Sequence, residues 1–296
     1  MKNKLRYTFQ LLIFACSLLF LQSCIDATKP SNNPQPSVNA ERKNNLSYGA
    51  DQRHVMDVYL PEKRDSNTPF IILIHGGAWV AGDKGDMKIL QDSLLNKGIA
   101  SASINYRYVN GTLHCEALMA DVQQAINFCV SKKSEWNIRD NKYMIAGASA
   151  GGHMAMLYGY AYDNEDRIGG IISAAGPTDM TNIDYLNYSA IIGLIDEIQY
   201  MVGATYQIFQ PLPARFAQSS PLHNISNVPT LLLHGTADAV VPVAHSQNIK
   251  AVLDGQGIAN KLVTFNEAGH DLGLANAANL QKLVNEIDAW CKLYGR

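Results

Sequence analysis

The sequence is short of cysteine. Five are present in 296 residues, and no Cys/His spacing resembles a zinc site. Cys16 and Cys24 belong to the N-terminal apolar segment, which leaves Cys115, Cys129 and Cys291. An odd number cannot all pair within the chain. Cys115 and Cys129 bracket one helical stretch, and fourteen residues of helix set them ~21 Å apart. That is beyond the reach of a disulfide, so they read as small buried hydrophobes. A surplus of charge is also lacking: 24 Lys and Arg stand against 26 Asp and Glu, for a net charge of −2. Nothing in that balance points to nucleic acid or another polyanionic partner. There is no internal repeat. The apolar run Leu11 to Leu21 is too short for a comfortable membrane span. What is present, 47% hydrophobic and 17% charged residues, can bury a sizeable core in one large domain or two small ones.

The N-terminus reads as targeting sequence. Lys2, Lys4 and Arg6 precede the apolar run, which ends in Leu21-Gln22-Ser23-Cys24. This resembles a bacterial lipoprotein signal: residues 1–23 removed, Cys24 lipidated, and the mature chain held at the cell envelope by that lipid alone. Gln22 stands where a small residue is more usual. The plainer alternative is ordinary secretory cleavage with an incidental Cys24. Residues 24–45, with Pro30, Pro34 and Pro36 among Ser, Asn and Gln, read as a flexible tether. The globular domain is expected over 46–296.

Within that domain, strand-like and helix-like stretches alternate. Leu46 to Leu60 reads as an antiparallel edge hairpin. Phe70 to Ile74, Ile99 to Tyr106, Tyr143 to Ala146, Ile168 to Ala175, Val228 to Gly235 and Leu262 to Phe265 read as strands. Helical periodicity fills Met87 to Lys97, the Leu118–Cys129 face and Asn276 to Leu293. This alternation predicts an α/β fold: a mostly parallel central sheet with helices on both faces. Residues 180–227 break the alternation and read as a helical insertion over the sheet edge, a lid. Most of its aromatics, among them Tyr185, Tyr188, Tyr200 and Phe216, are expected to pack it onto the sheet.

One stretch organises the rest. Gly147-Ala148-Ser149-Ala150-Gly151 sits between an apolar strand and a helix. In that context G-x-S-x-G is a sharp turn that lifts the serine hydroxyl above the sheet edge. A serine nucleophile needs a base, and histidine titrates near working pH. His270 follows the last strand, behind Gly269. A base histidine needs a carboxylate to hold its tautomer. Asp238, in the loop after the preceding strand, is the first candidate and Asp179 the runner-up; Asp271 adjoins His270, and adjacent side chains rarely orient one another, while Glu267 reads as shaping its loop. The order Ser149, Asp238, His270 is that of serine, acid, histidine. His75-Gly76-Gly77-Ala78-Trp79 ends a buried strand and is the source of oxyanion donors. Ala150 supplies one amide; Gly76, Gly77 or Ala78 supplies the other. His75 is read as orienting that loop, and His153 and His234 as packed side chains. Such a site requires no metal and no organic cofactor.

These motifs resemble the α/β-hydrolase superfamily from about Tyr48 to the C-terminus. HGGAW, GASAGGH, VPTLLLHGTAD-x-VVP and AGH are similar to the branch holding carboxylesterases, hormone-sensitive-lipase-like esterases and the bifunctional acetylxylan/feruloyl esterases. Ala78 departs from the HGGG usual in the lipase-like group, and HGG-x-W also occurs in kynurenine formamidase-like enzymes. The resemblance implies a Ser149–Asp238–His270 triad in a serine carboxylic-ester hydrolase, with an acetylated or feruloylated polysaccharide of the xylan type or a small ester as substrate. An amidase or peptidase on the same triad is one alternative. A catalytically silent binding protein on this scaffold is another.

Overall fold

A computed structural model describes residues 39–295; the expected leader 1–23, Cys24 and most of the expected tether lie outside them. The strands are β1 (Glu41–Ser47), β2 (Val55–Leu60), β3 (Phe70–Ile74), β4 (Ala100–Ile104), β5 (Tyr143–Ala148), β6 (Ile168–Ala174), β7 (Thr230–Gly235) and β8 (Asn260–Phe265). They form one sheet in the order β1-β2-β4-β3-β5-β6-β7-β8. The pairs β1/β2 and β2/β4 are antiparallel, and every other pair is parallel. This is the mostly parallel sheet with an antiparallel edge that the alternation predicts. One boundary shifts. Glu41–Lys43 pair with Val58–Leu60, so the domain begins inside the stretch read as tether. Charged residues on an exposed edge strand imitate a linker in composition.

Helices cover both faces. They are α1 (Lys88–Asn96), α2 (Cys115–Ser131), α3 (Ala150–Leu157), α4 (Ile183–Ile191), α5 (Ile195–Val202), α6 (Ala244–Gly255) and α7 (Ala277–Tyr294). Single helical turns occupy Lys133–Trp136 and Ala214–Gln218. Strand residues divide between two cores by their period of two. Phe70, Ile72 and Ile74 face a core built with α2, α3 and α6. Ile71 and Leu73 face one built with α1 and α7. β3 is therefore buried along its whole length, and its run is continuously apolar. Cys115 and Cys129 are free and buried, as read, and so is Cys291.

Helix α6 has no counterpart in the sequence reading. Its buried residues are His245, Ser246, Ile249 and Leu253. Two polar side chains on the inward face erase half of the apolar stripe by which such a helix is recognised. The insertion is helical, as expected: α4, α5, the Ala214–Gln218 turn and a 3-10 turn at Pro221–His223. Tyr185 and Phe216 pack it down, whereas Phe209 is 99% exposed and Tyr200 is half in solvent.

Candidate active site

The turn after β5 explains its own composition. Ser149 has φ 53° and ψ −120°, a region that a non-glycine residue occupies at a cost of ~1–3 kcal/mol. Its amide donates to Ala174 O at 2.7 Å and its carbonyl accepts the His153 amide at 3.0 Å. The turn is so tight that a Cβ on Gly151 would stand 2.1 Å from Ile74 O, and one on Gly147 2.2 Å from the Gly151 carbonyl. The two glycines are there for this close approach. The hydroxyl between them is held at the C-terminal edge of the sheet, where loops after parallel strands gather ligands.

Three side chains from three loops converge. His270 Nδ1 is 2.8 Å from Asp238 Oδ2, and His270 Nε2 is 2.9 Å from Ser149 Oγ. The carboxylate can only accept, so Nδ1 carries the proton and Nε2 is free to accept from the serine hydroxyl. The Asp238 side chain is fully buried, and His270 is 26% exposed. Burial alone would raise the Asp238 pKa. Contacts from His234 and His270, and the amides of Val240 and Val241, overcome that and hold it well below the usual carboxylate range. Asp238 is thus a permanent anion behind the imidazole.

The other candidate acids lie elsewhere. Asp179 accepts from the Thr181 amide and hydroxyl. Asp271 is exposed and closes a turn by accepting from the Gly273 amide. Glu267 shapes its loop, with φ 55° and its amide on Thr236 Oγ1.

The loop after β3 is anchored from behind. His75 is fully buried and stacks on Tyr106, with ring centroids 4.4 Å apart. Its Nδ1–H donates to Gly76 O at 2.6 Å, and Arg53 reaches its Nε2 at 3.3 Å. Burial lowers the His75 pKa, so the ring stays neutral and keeps this tautomer. Because a trans peptide is planar, fixing the Gly76 carbonyl toward His75 turns the Gly77 N–H to the opposite side. Gly77, Ala78 and Trp79 all have positive φ (111°, 48° and 63°). Ala78 and Trp79 line a small cavity, about 20 Å³, together with Ser149, Ala150 and Leu194. The Ala150 amide, first in α3, has no acceptor within its own helix.

Trp79 and His153 join the two motifs. Trp79 Nε1 donates to His153 Nδ1 at 3.3 Å, and His153 Nε2 donates to Ser219 O at 2.8 Å. One hydrogen-bonded path therefore ties the β3 loop to α3 and to the insertion. Four supporting residues escape the sequence reading. Arg53 also holds Tyr106 O and Gly82 O. His234, read as packed, is indeed fully buried, but it packs on the acid: Nε2 is 2.8 Å from Val241 O and 3.3 Å from Asp238 Oδ2. Ser246 accounts for its Nδ1 at 2.7 Å. Tyr106 has no motif to mark it.

Two larger cavities flank the site. One, about 330 Å³, is lined mainly by apolar side chains of α1, α7 and the sheet edge, including Leu90, Leu233 and Leu283, and reaches His270. The other, about 300 Å³, lies beneath α4 and shares Tyr185 with the small cavity at Ser149.

Residues 56–253 match the BD-FAE family. The isoprenylcysteine alpha-carbonyl methylesterase of Arabidopsis thaliana is 24% identical over 248 residues, covering 77% of this chain and 56% of that protein. The chain thus spans little more than half the length of that relative. Among solved structures, a truncated carbohydrate esterase from gut microbiota superposes with TM-score 0.67 at 22% identity, covering 85% of this chain and 96% of the other. An acetyl ester-xyloside bifunctional hydrolase from Caldicellulosiruptor lactoaceticus gives TM-score 0.66 at 20% identity, with 87% and 97% covered. These likenesses carry the fold. With a family match over more than half its length and the α/β-hydrolase architecture, the chain belongs to the BD-FAE family.

Proposed function

We propose that the protein is a serine carboxylic-ester hydrolase working through Ser149, His270 and Asp238. What carries this is the unbroken hydrogen-bond chain from Ser149 Oγ through His270 to Asp238, at 2.9 and 2.8 Å. Ser149 Oγ attacks the ester carbonyl while His270 Nε2 takes its proton. Asp238 stabilises the imidazolium formed. The carbonyl oxygen, now negative, is met by the amides of Ala150 and of Gly77 or Ala78. Gly76 enters through its carbonyl, which holds the loop. His270 then returns its proton to the leaving alcohol, and the C–O bond breaks to give an acyl-Ser149. Water, deprotonated by His270, attacks the acyl carbon. Carboxylic acid leaves, and Ser149 recovers its proton.

The substrate we infer is an acylated polysaccharide of the xylan type, and acetyl is the acyl group. The cavity against Ser149 is small, about 20 Å³, which favours a short acyl group. The carbohydrate esterase and acetyl ester-xyloside hydrolase among the structural neighbours support the alcohol part. The lipoprotein-like leader supports attachment at the cell envelope through Cys24.

The test is acetate release from acetylated xylan beside hydrolysis of p-nitrophenyl acetate, with Ser149→Ala as blank. Both activities should fall by about 10⁴-fold or more in the variant. Activity on the small ester alone would keep the esterase and remove the polysaccharide.

A further inference from the structure

We infer that the cleft beneath α4 is the subsite for the sugar that bears the ester, and that Asp184 and Asn248 are specificity-determining residues within it. This rests on the ester-hydrolase reading above. The cleft is lined by side chains of α4 and of the start of α6, among them Asp184, Tyr185, Tyr188, His245 and Asn248. Its volume, about 300 Å³, lies at the lower end of the ~300–1,000 Å³ usual for small-molecule sites.

Its position suits an alcohol leaving Ser149. Tyr185 belongs to both the cleft and the small cavity at Ser149. The chain continues directly from Val240 and Val241, which line the small cavity, to Pro242 and Ala244, which line the cleft. Tyr188 ties α4 to the acid loop by donating its hydroxyl hydrogen to Ala239 O. The cleft and the small cavity at Ser149 thus share Tyr185 and one continuous stretch of chain.

Its chemistry suits a neutral polyol. Asn182 uses its side-chain oxygen to cap α4 at the Tyr185 amide, which leaves the NH₂ to donate elsewhere. Asp179 uses Oδ1 on Thr181, and its second oxygen can accept from a hydroxyl. Asp184 and Asn248, both exposed, add a carboxylate and an amide. His245 accepts the Thr178 amide at Nδ1, so its proton is on Nε2 as a further donor. Planar carboxylates and amides of this kind each engage two neighbouring hydroxyls. Tyr185 and Tyr188 border the same space and add apolar surface to it. Two carboxylates disfavour an anionic alcohol. A bare alkyl alcohol would leave these polar groups without partners.

Two measurements decide it. Acetylated xylotriose is titrated calorimetrically into Ser149→Ala protein, which binds without turnover, and the titration is repeated with Asp184→Ala and Asn248→Ala added. Binding that weakens tenfold or more in both double variants supports the subsite; binding unchanged by either overturns it. In the otherwise native enzyme, kcat/KM for acetylated xylotriose is divided by that for p-nitrophenyl acetate. A ratio that falls tenfold or more in Asp184→Ala and Asn248→Ala, through KM, supports the subsite. A constant ratio overturns it. So does acetylcholine hydrolysed faster than the acetylated sugar, which would make the cleft a cation site. If Ser149→Ala still hydrolyses p-nitrophenyl acetate at the native rate, the nucleophile reading fails separately, and the kcat/KM ratio in the otherwise native enzyme still decides the cleft.

Discussion

Among single residues, Asp238 gathers more partners than any other member of the site. Its Oδ1 takes two amides while Oδ2 meets His270 and His234. His234 does not reach Ser149 or the space in front of it; its role is to hold the acid. Replacing it with Leu leaves the Val241 carbonyl and the Ser246 hydroxyl without partners, a loss of ~1–3 kcal/mol. The expected result for His234→Leu is a kcat about tenfold lower with KM unchanged. Asp238→Asn removes the anion itself and should lower kcat by about 10⁴-fold, as tautomer loss does in related triads. Steady-state kinetics over pH 5–9 with p-nitrophenyl acetate separates the two.

At the level of elements, the turn between β5 and α3 depends on contacts that no side chain can replace. A methyl on Gly151 would overlap Ile74 O at 2.1 Å, so Gly151→Ala must push β3 and β5 apart. Because β3 also carries the HGG loop, the two halves of the site separate together. The expected outcome is loss of more than 100-fold in kcat/KM along with a lower melting temperature. Gly255→Ala, with nothing within 4 Å, is the control and should leave both near native. Helix α6 makes a second case. It rests on Ile249 and Leu253, both fully buried, and it supplies Ser246 to His234 behind the acid and His245 to the cleft. Truncating Ile249 to Ala should cost ~2–5 kcal/mol, read as a lower urea midpoint.

The molecule as a whole should be acid-sensitive in two separate windows. Burial lowers the pKa of His153 and of His245 to about 4 in each case. In the unfolded chain both titrate near 6.5, so between pH 6.5 and 4 the unfolded state binds more protons than the folded one. Stability is then complete above pH 6.5 and declines as pH falls toward 4, by ~1.4 kcal/mol per pH unit for each histidine at most. Asp238, depressed, adds stability above about pH 4 that is lost only as pH falls further. Urea midpoints should hold level from pH 7.5 to about 6.5 and fall from there to pH 4.5 for the native protein, less steeply for His245→Asn. A flat profile would contradict the neutral buried state. The cavities set acyl length at the same scale. Acetyl esters should be cleaved at least tenfold faster than octanoyl esters, because Ser149 borders the small cavity and not the 330 Å³ apolar one. The reverse order would make that apolar cavity the acyl site.

Strands β2 to β8, most of the helices, the two-sided burial of β3 and the choice of Ser149, Asp238 and His270 were legible in the amino-acid sequence. Their causes are local or periodic: an apolar run means burial on both faces, and a glycine two places either side of a serine means a tight turn. Three things were decided only by tertiary structure. Helix α6 hid because its inner face carries His245 and Ser246, whose partners come from distant loops. Strand β1 hid because an exposed charged edge looks like a linker until β2 pairs with it. The supports of the site, Arg53 and Tyr106 behind the HGG loop and His234 behind Asp238, had no signature because a hydrogen bond to a backbone carbonyl leaves no pattern in sequence. Residues 53, 75 and 106 meet only after β2, β3 and β4 have paired, and the chemistry they position exists only from that point.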